Sequence, residues 1–181
     1  MTVGRCAVDF YCNDIGAPLK HAKSFNIYLG GCPANVAVGA RRLGLRSAIL
    51  TRIGVEPLGD YLMNVLETEG VSAEAVVRDP RHLCGLVVLG IQPPDTFPLT
   101  MYRENCADIN LSLDDVQAAP LNEAHVVFVS GTGFSREPSA SATTAAVEMA
   151  QAGSATVMLD IDLRPAIWPD PRAFGLAVRR I

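Results

Sequence analysis

Three short stretches hold the residues best suited to do chemistry. Asp9 closes an apolar run and is acceptor-only, able to take two neighbouring hydroxyls at once, which suits a polyol; the alternative is a loop or capping aspartate. The segment GGCPAN, residues 30–35, places a glycine pair ahead of a helical turn that carries Asn35. That amide either donates and accepts toward a ligand or caps the turn, and Gly30 and Gly31 either let a ligand touch the backbone or simply make a turn. The segment DIDLR, residues 160–164, ends on Arg164, whose guanidinium fork matches a carboxylate or phosphate. Asp160 and Asp162 beside it either hold magnesium through one carboxylate or pair with that arginine. A second cation, Arg103, follows Tyr102 in YRENCAD and is either a solvated charge or a further anion contact. Two arginines near a polyol-reading aspartate would suit an acidic sugar, each charged hydrogen bond contributing roughly 1.5–3 kcal/mol.

Other chemistries find less support. G-x-x-x-x-G-K-[ST] does not occur, G-x-G-x-x-G does not follow the first strand, and GTGFSRE after Ser130 lacks the third glycine. A nicotinamide oxidoreductase therefore has only its α/β pattern behind it. The five cysteines are odd in number and include no C-x-x-C pair, which fits reduced thiols rather than a disulfide framework. The three histidines share no metal-ligand spacing. A net charge of −4 without a basic stripe argues against a nucleic-acid partner, and the apolar runs are too short to cross a bilayer. With no charged segment leading into an apolar signal core, the expected location is the cytoplasm, with no membrane partner.

The elements that must position these residues read as α/β. Residues 3–10 form an apolar opening strand ending on Asp9, and residues 13–29 a peripheral strand or hairpin. Residues 33–43 form a helix with proline in its first turn and Gly44 as its stop. Residues 45–53 form a strand and 57–69 an amphipathic helix. Residues 85–91 and 97–103, joined by QPPDT, predict an antiparallel hairpin. Ser112 with Asp115 predicts a capping box, followed by a strand at 125–130, a helix at 138–151 and a strand at 155–161. The order predicts a mostly parallel sheet flanked by helices, plus a smaller β flap, in a chain of 181 residues. In such sheets ligands bind beyond the carboxyl ends of the strands, where Asp9, GGCPAN and DIDLR all fall.

The segment GGCPANVA, followed by Gly44 and Gly54, resembles the first signature of the PfkB, or ribokinase-like, carbohydrate kinases. TRIGVEPLG, GIQPPDTFPLTMYRENCADINL, SGTGFS and DIDLRPAIW extend the resemblance, in the family's order, from about residue 3 to about residue 168. The set is most similar to bacterial members that use ATP to phosphorylate a keto sugar acid of inositol breakdown. The resemblance implies a ribokinase-like α/β fold with a small β lid, residues 1–181 being the N-terminal part of one kinase domain with lid segments at about 12–29 and 84–108. It implies that Asp9, Gly30, Gly31 and Asn35 read sugar hydroxyls. Tyr102 and Arg103 would come from the lid, Arg164 would contact the acid end, and Asp162 would lie on the nucleotide and magnesium side. ATP and Mg²⁺ are the implied cofactors, a small sugar acid the partner, and the lid the contact of a homodimer. Alternatives are 2-dehydro-3-deoxygluconate or a ketohexose as acceptor, or a non-catalytic sugar-binding or pairing module. The family's second signature, D-T-x-G-A-G-D, supplies the base and the backbone donors for the moving phosphate, and it does not occur in this sequence. A positioned base alone contributes roughly 10²–10⁴ in rate. No residue is therefore assigned as catalytic, and the expectation is a truncated, inactive form.

Overall fold

The structure is a computed structural model describing residues 1–168, 170–179 and 181. In chain order the first half comprises β1 (Thr2–Val3), β2 (Ala7–Cys12), β3 (Phe25–Gly30), α1 (Cys32–Arg42), β4 (Ile49–Gly54), α2 (Pro57–Thr68) and β5 (Val76–Asp79). The second half comprises β6 (Gly85–Leu89), β7 (Leu99–Tyr102), α3 (Leu113–Ala118), β8 (Val126–Ser130), α4 (Ser139–Ala152), β9 (Thr156–Asp160) and α5 (Pro171–Val178). Two sheets result. A parallel sheet runs β5-β4-β1-β8-β9, and a smaller sheet runs β3-β2-β6-β7.

The inner strands β4, β1 and β8 of the parallel sheet are covered on both faces and read as nearly continuous apolar runs, whereas the edge strand β9 leaves Thr156, Met158 and Asp160 exposed on one face. Ile49 and Ile53 of β4 pack with Ala34 and Ala37 of α1 and with Leu62 and Leu66 of α2. Leu50 points the other way and joins Val127, Val129, Ala142, Ala146 and Ala150, together with Trp168 and Phe174. The predicted capping box forms at the start of α3. The Ser112 N–H donates to Asp115 Oδ2 at 2.8 Å and the Asp115 N–H to Ser112 Oγ at 3.4 Å. The α/β class, the parallel sheet and the lid are as expected. Among the described residues no helix is long and apolar enough to cross a membrane.

The opening run differs from expectation. Residues 3–10 predict one strand, but β1 ends at Val3 and Gly4 turns the chain at φ +125°, a conformation that glycine adopts readily and other residues rarely do. The chain then crosses into the small sheet as β2, pairing parallel to β6 and antiparallel to β3. Asp9 therefore stands in the middle of a lid strand rather than at the end of a core strand. The lid also begins earlier than residue 12, since β2 belongs to it. The hairpin of β6 and β7 is antiparallel, as its proline-rich turn predicts. The short edge strand β5, VVRD, pairs parallel to β4 and carries too brief a pattern to stand out in sequence.

Candidate functional site

Where the lid meets the carboxyl ends of β1 and β9, a cleft of about 420 Å³ opens. Asp9 and Tyr11 enter it from β2, and Val87, Leu99 and Met101 from β6 and β7. Gly31, Cys32 and Asn35 bring the start of α1 to it, while Asp160, Asp162 and Arg164 line it from the loop beyond β9. Polar groups from three separate elements thus converge in one cleft between the two sheets, beside an apolar wall that suits the C–H face of a small polyol.

The glycine pair has a concrete job in this geometry. A Cβ on Gly30 would collide with the Asp9 carboxylate, so Gly30 keeps open the space that this side chain occupies. A Cβ on Gly31 would strike the Arg5 carbonyl oxygen, and Gly31 caps α1 at φ +98°. Cys32, first residue of α1, donates its thiol to Asp160 Oδ2 at 3.0 Å. Burial and that carboxylate push the thiol up to about 12, which leaves it protonated and unreactive at neutral pH. Burial likewise raises the Asp9 carboxyl above its ordinary value, with the Arg5 charge opposing.

The loop after β9 is strained where it meets the cleft. Asp162 adopts φ +35°, and its side chain is only 5% exposed. Its Oδ1 accepts from Arg164 Nε at 2.8 Å, while its Oδ2 is buried without a partner. Strained backbone of this kind clusters at ligand sites. Magnesium is usually bound by one or two carboxylates together with substrate phosphates, a role that the free oxygen of Asp162 fits. Among the described residues no three His, Cys, Asp or Glu side chains gather into a cage.

Two expected residues lie elsewhere. Tyr102 and Arg103 line a second cleft of about 840 Å³, together with Glu56, His82 and Arg136. Tyr102 is 61% exposed there. Arg103 is no solvated charge: it is buried, and both Nε and Nη2 donate to Asp108 Oδ2, at 2.9 and 2.6 Å. A guanidinium already neutralised in this way has little to offer a ligand in the first cleft. The placement of β7 explains this, since Leu99 faces the first cleft, Met101 borders both, and the strand's end runs out toward the second.

Sequence reading passed over Arg5. It follows the carboxyl end of β1, the middle strand of the parallel sheet, and it lines the first cleft while being only 7% exposed. Its Nε has no hydrogen-bond partner. The signal was present: an arginine interrupts the largely apolar run VGRCAVDF four residues before Asp9, and a buried position does not take an unpaired charge without reason.

The pfkB family carbohydrate kinase model matches residues 1–179. The chain is 31% identical over 169 residues to the 5-dehydro-2-deoxygluconokinase of Geobacillus thermodenitrificans, an alignment that covers 93% of this chain and 50% of that protein. It is 32% identical to the enzyme of the same name from Shouchella clausii, covering 93% of this chain and 52% of the relative. The chain spans about half the length of the curated relatives it matches. A PfkB protein from a Polaromonas species superposes with a TM-score of 0.91 at 26% identity, over 99% of this chain and 60% of that one. An uncharacterized sugar kinase from Pyrococcus horikoshii in complex with ATP superposes with a TM-score of 0.88 at 26% identity, over 98% of this chain and 59% of that one.

Proposed function

The chain belongs to the pfkB family of carbohydrate kinases, and from that premise we propose that it carries the acceptor-binding half of an ATP-dependent sugar-acid kinase. The acceptor in this proposal is 5-dehydro-2-deoxygluconate, a keto sugar acid of inositol breakdown. One observation carries the reading: a single cleft joins an acceptor-only carboxylate, Asp9, with an exposed amide, Asn35, and with arginine side chains. Hydroxyls of the acceptor donate to Asp9, and Asn35 completes their recognition by donating and accepting. The apolar side chains of Val87, Leu99 and Met101 cover the ring or chain carbons. Asp162, whose buried Oδ2 has no partner, takes the phosphate and Mg²⁺ side in this reading. ATP supplies the transferred phosphoryl group. The residues that hold ATP and deprotonate the acceptor hydroxyl are not assigned in this chain.

The curated relatives' name supports the acid over a neutral sugar. Titration calorimetry with 5-dehydro-2-deoxygluconate, 2-dehydro-3-deoxygluconate and fructose tests the assignment. The first acid should bind tightest. Stronger binding of fructose than of either acid overturns the acid reading, and absence of saturable binding by all three overturns the acceptor-site reading as a whole. Release of ADP from MgATP, dependent on the keto sugar acid, separates a kinase from a non-catalytic sugar-binding module.

A further inference from the structure

Four charged side chains besides Asp9 line the cleft, and their commitments differ. Asp160 accepts from the Cys32 thiol through Oδ2 and from the Asp162 N–H through Oδ1, at 3.0 Å in both cases. Arg164 is tied by Nε to Asp162 and is 51% exposed. Arg5 alone among the described cations of this cleft lacks an ion-pair partner within 4.0 Å, although it is more than nine-tenths buried. Burial is the main influence lowering its pKa, Arg103 adds to it, and the charges of Asp108, Asp162 and Asp9 work the other way. A buried cation left without a close counter-charge is costly to the apo fold. Its aliphatic stem runs beside Gly31, where an added Cβ would stand 3.4 Å from Arg5 Cγ.

From this arrangement we infer that Arg5 takes the carboxylate of the acceptor and so sets the preference of the site for an acid over a neutral sugar. The inference rests on the function proposed above and deepens it. An entering carboxylate meets three protein carboxylates, Asp9, Asp160 and Asp162, and would be repelled unless a cation stood among them. Arg164, the acid contact that the resemblance implies, already gives its Nε to Asp162, and Arg103, from the lid, is spent on Asp108 in the other cleft. Arg5 supplies a planar fork just beyond the carboxyl end of the central strand, in the cleft that Asp9 enters from the small sheet. The bound acid then provides the counter-charge that the fold withholds, and the fork recognises it in two-point fashion.

Calorimetric titration of the chain and of its Arg5→Met variant with 5-dehydro-2-deoxygluconate, fructose and MgATP tests this. The variant should lose roughly 10- to 100-fold in affinity for the acid while binding fructose as the parent does. Its melting temperature without ligand should stay level or rise, because methionine keeps the buried stem and removes the unpaired charge; a structural arginine would make it fall. Equal losses for acid and fructose, an unchanged affinity for the acid, or a loss confined to MgATP would each overturn the inference. Should Arg5→Met not fold, Arg5→Lys keeps a charge without the fork and should cut the acid-over-fructose preference several-fold; an undiminished preference overturns the inference. If the parent chain binds the acid and the variants do not differ from it, only this inference falls. If the parent binds fructose in preference to the acid, the function proposed above falls with it.

Discussion

At the scale of single residues, the cleft trades stability for recognition. Burial raises the Asp9 carboxyl above its ordinary value, so its ionised form is held at a cost. The sign follows: its contribution to folding is favourable below the unfolded value of 3.8 and is lost as pH rises through the higher folded value. Asp9→Asn should therefore melt higher than the parent at neutral pH while losing at least roughly 10-fold in affinity for the sugar acid, which scanning calorimetry and titration calorimetry measure separately. Acidification should weaken acceptor binding in the parent as Asp9 takes up its proton, and should do so much less in the variant. Gly30 acts through Asp9. Gly30→Ala drives a methyl into the Asp9 carboxylate, and acceptor binding should fall about as far as in Asp9→Asn although no polar group is lost. Normal binding by Gly30→Ala, in a titration against the same acid, would show that Asp9 has somewhere else to go.

At the scale of elements, one arginine stitches the edge of the parallel sheet to the helical layer. Arg52 of β4 donates to Asp115 through Nε at 2.6 Å and Nη2 at 3.0 Å, to Ser112 Oγ at 3.2 Å, and to Asp79 Oδ2 at 3.3 Å. Asp79 ends β5, and Ser112 and Asp115 form the cap of α3, so three elements share this contact. Burial disfavours ionisation of Asp79, yet hydrogen bonds from His82, the Arg81 N–H and Arg52 hold its carboxyl below its ordinary range. Asp115 behaves alike: burial opposes, while Arg52 and Ser112 prevail. Depressed carboxyls stabilise the fold above their unfolded value of 3.8, and that stability is lost as pH falls through the folded values. Arg52→Met leaves two mostly buried carboxylates without their cation and should cost roughly 3–5 kcal/mol in urea denaturation at neutral pH. It should also flatten the acid limb of the stability curve. A cost under about 1 kcal/mol would mean that the network contributes little net stability.

At the scale of the whole molecule, the lid is the surface whose partner is open to test. Phe25, Tyr28 and Phe97 of the lid region are exposed, and Tyr28 packs on Tyr11 with ring centroids 5.1 Å apart. We predict that two copies pair through this sheet. Sedimentation velocity should give twice the chain mass at tens of micromolar, and Tyr28→Glu should return it to one; a single-chain mass for the parent would overturn the pairing. Much of the architecture was legible before any coordinates. The helices at GGCPAN and at Pro57, the capping box at Ser112 and the proline-marked hairpin all rest on local rules that neighbouring residues suffice to satisfy. The break at Gly4 was not legible, because a glycine inside an apolar run is compatible with a straight strand until packing demands a turn. Asp9, Asn35 and Arg164 could be named from residue type and position alone, and Gly31 from its place before a helix. Which arginines share the cleft with Asp9, and which of them are already paired, was decided only in three dimensions. Asp108 lies five residues after Arg103 and neutralises it in the other cleft, whereas Arg5 stays buried and unpaired beside Asp9. Charge in a sequence states what a side chain can bind; the tertiary fold determines whether its counter-charge is already supplied by the protein or must come with the ligand.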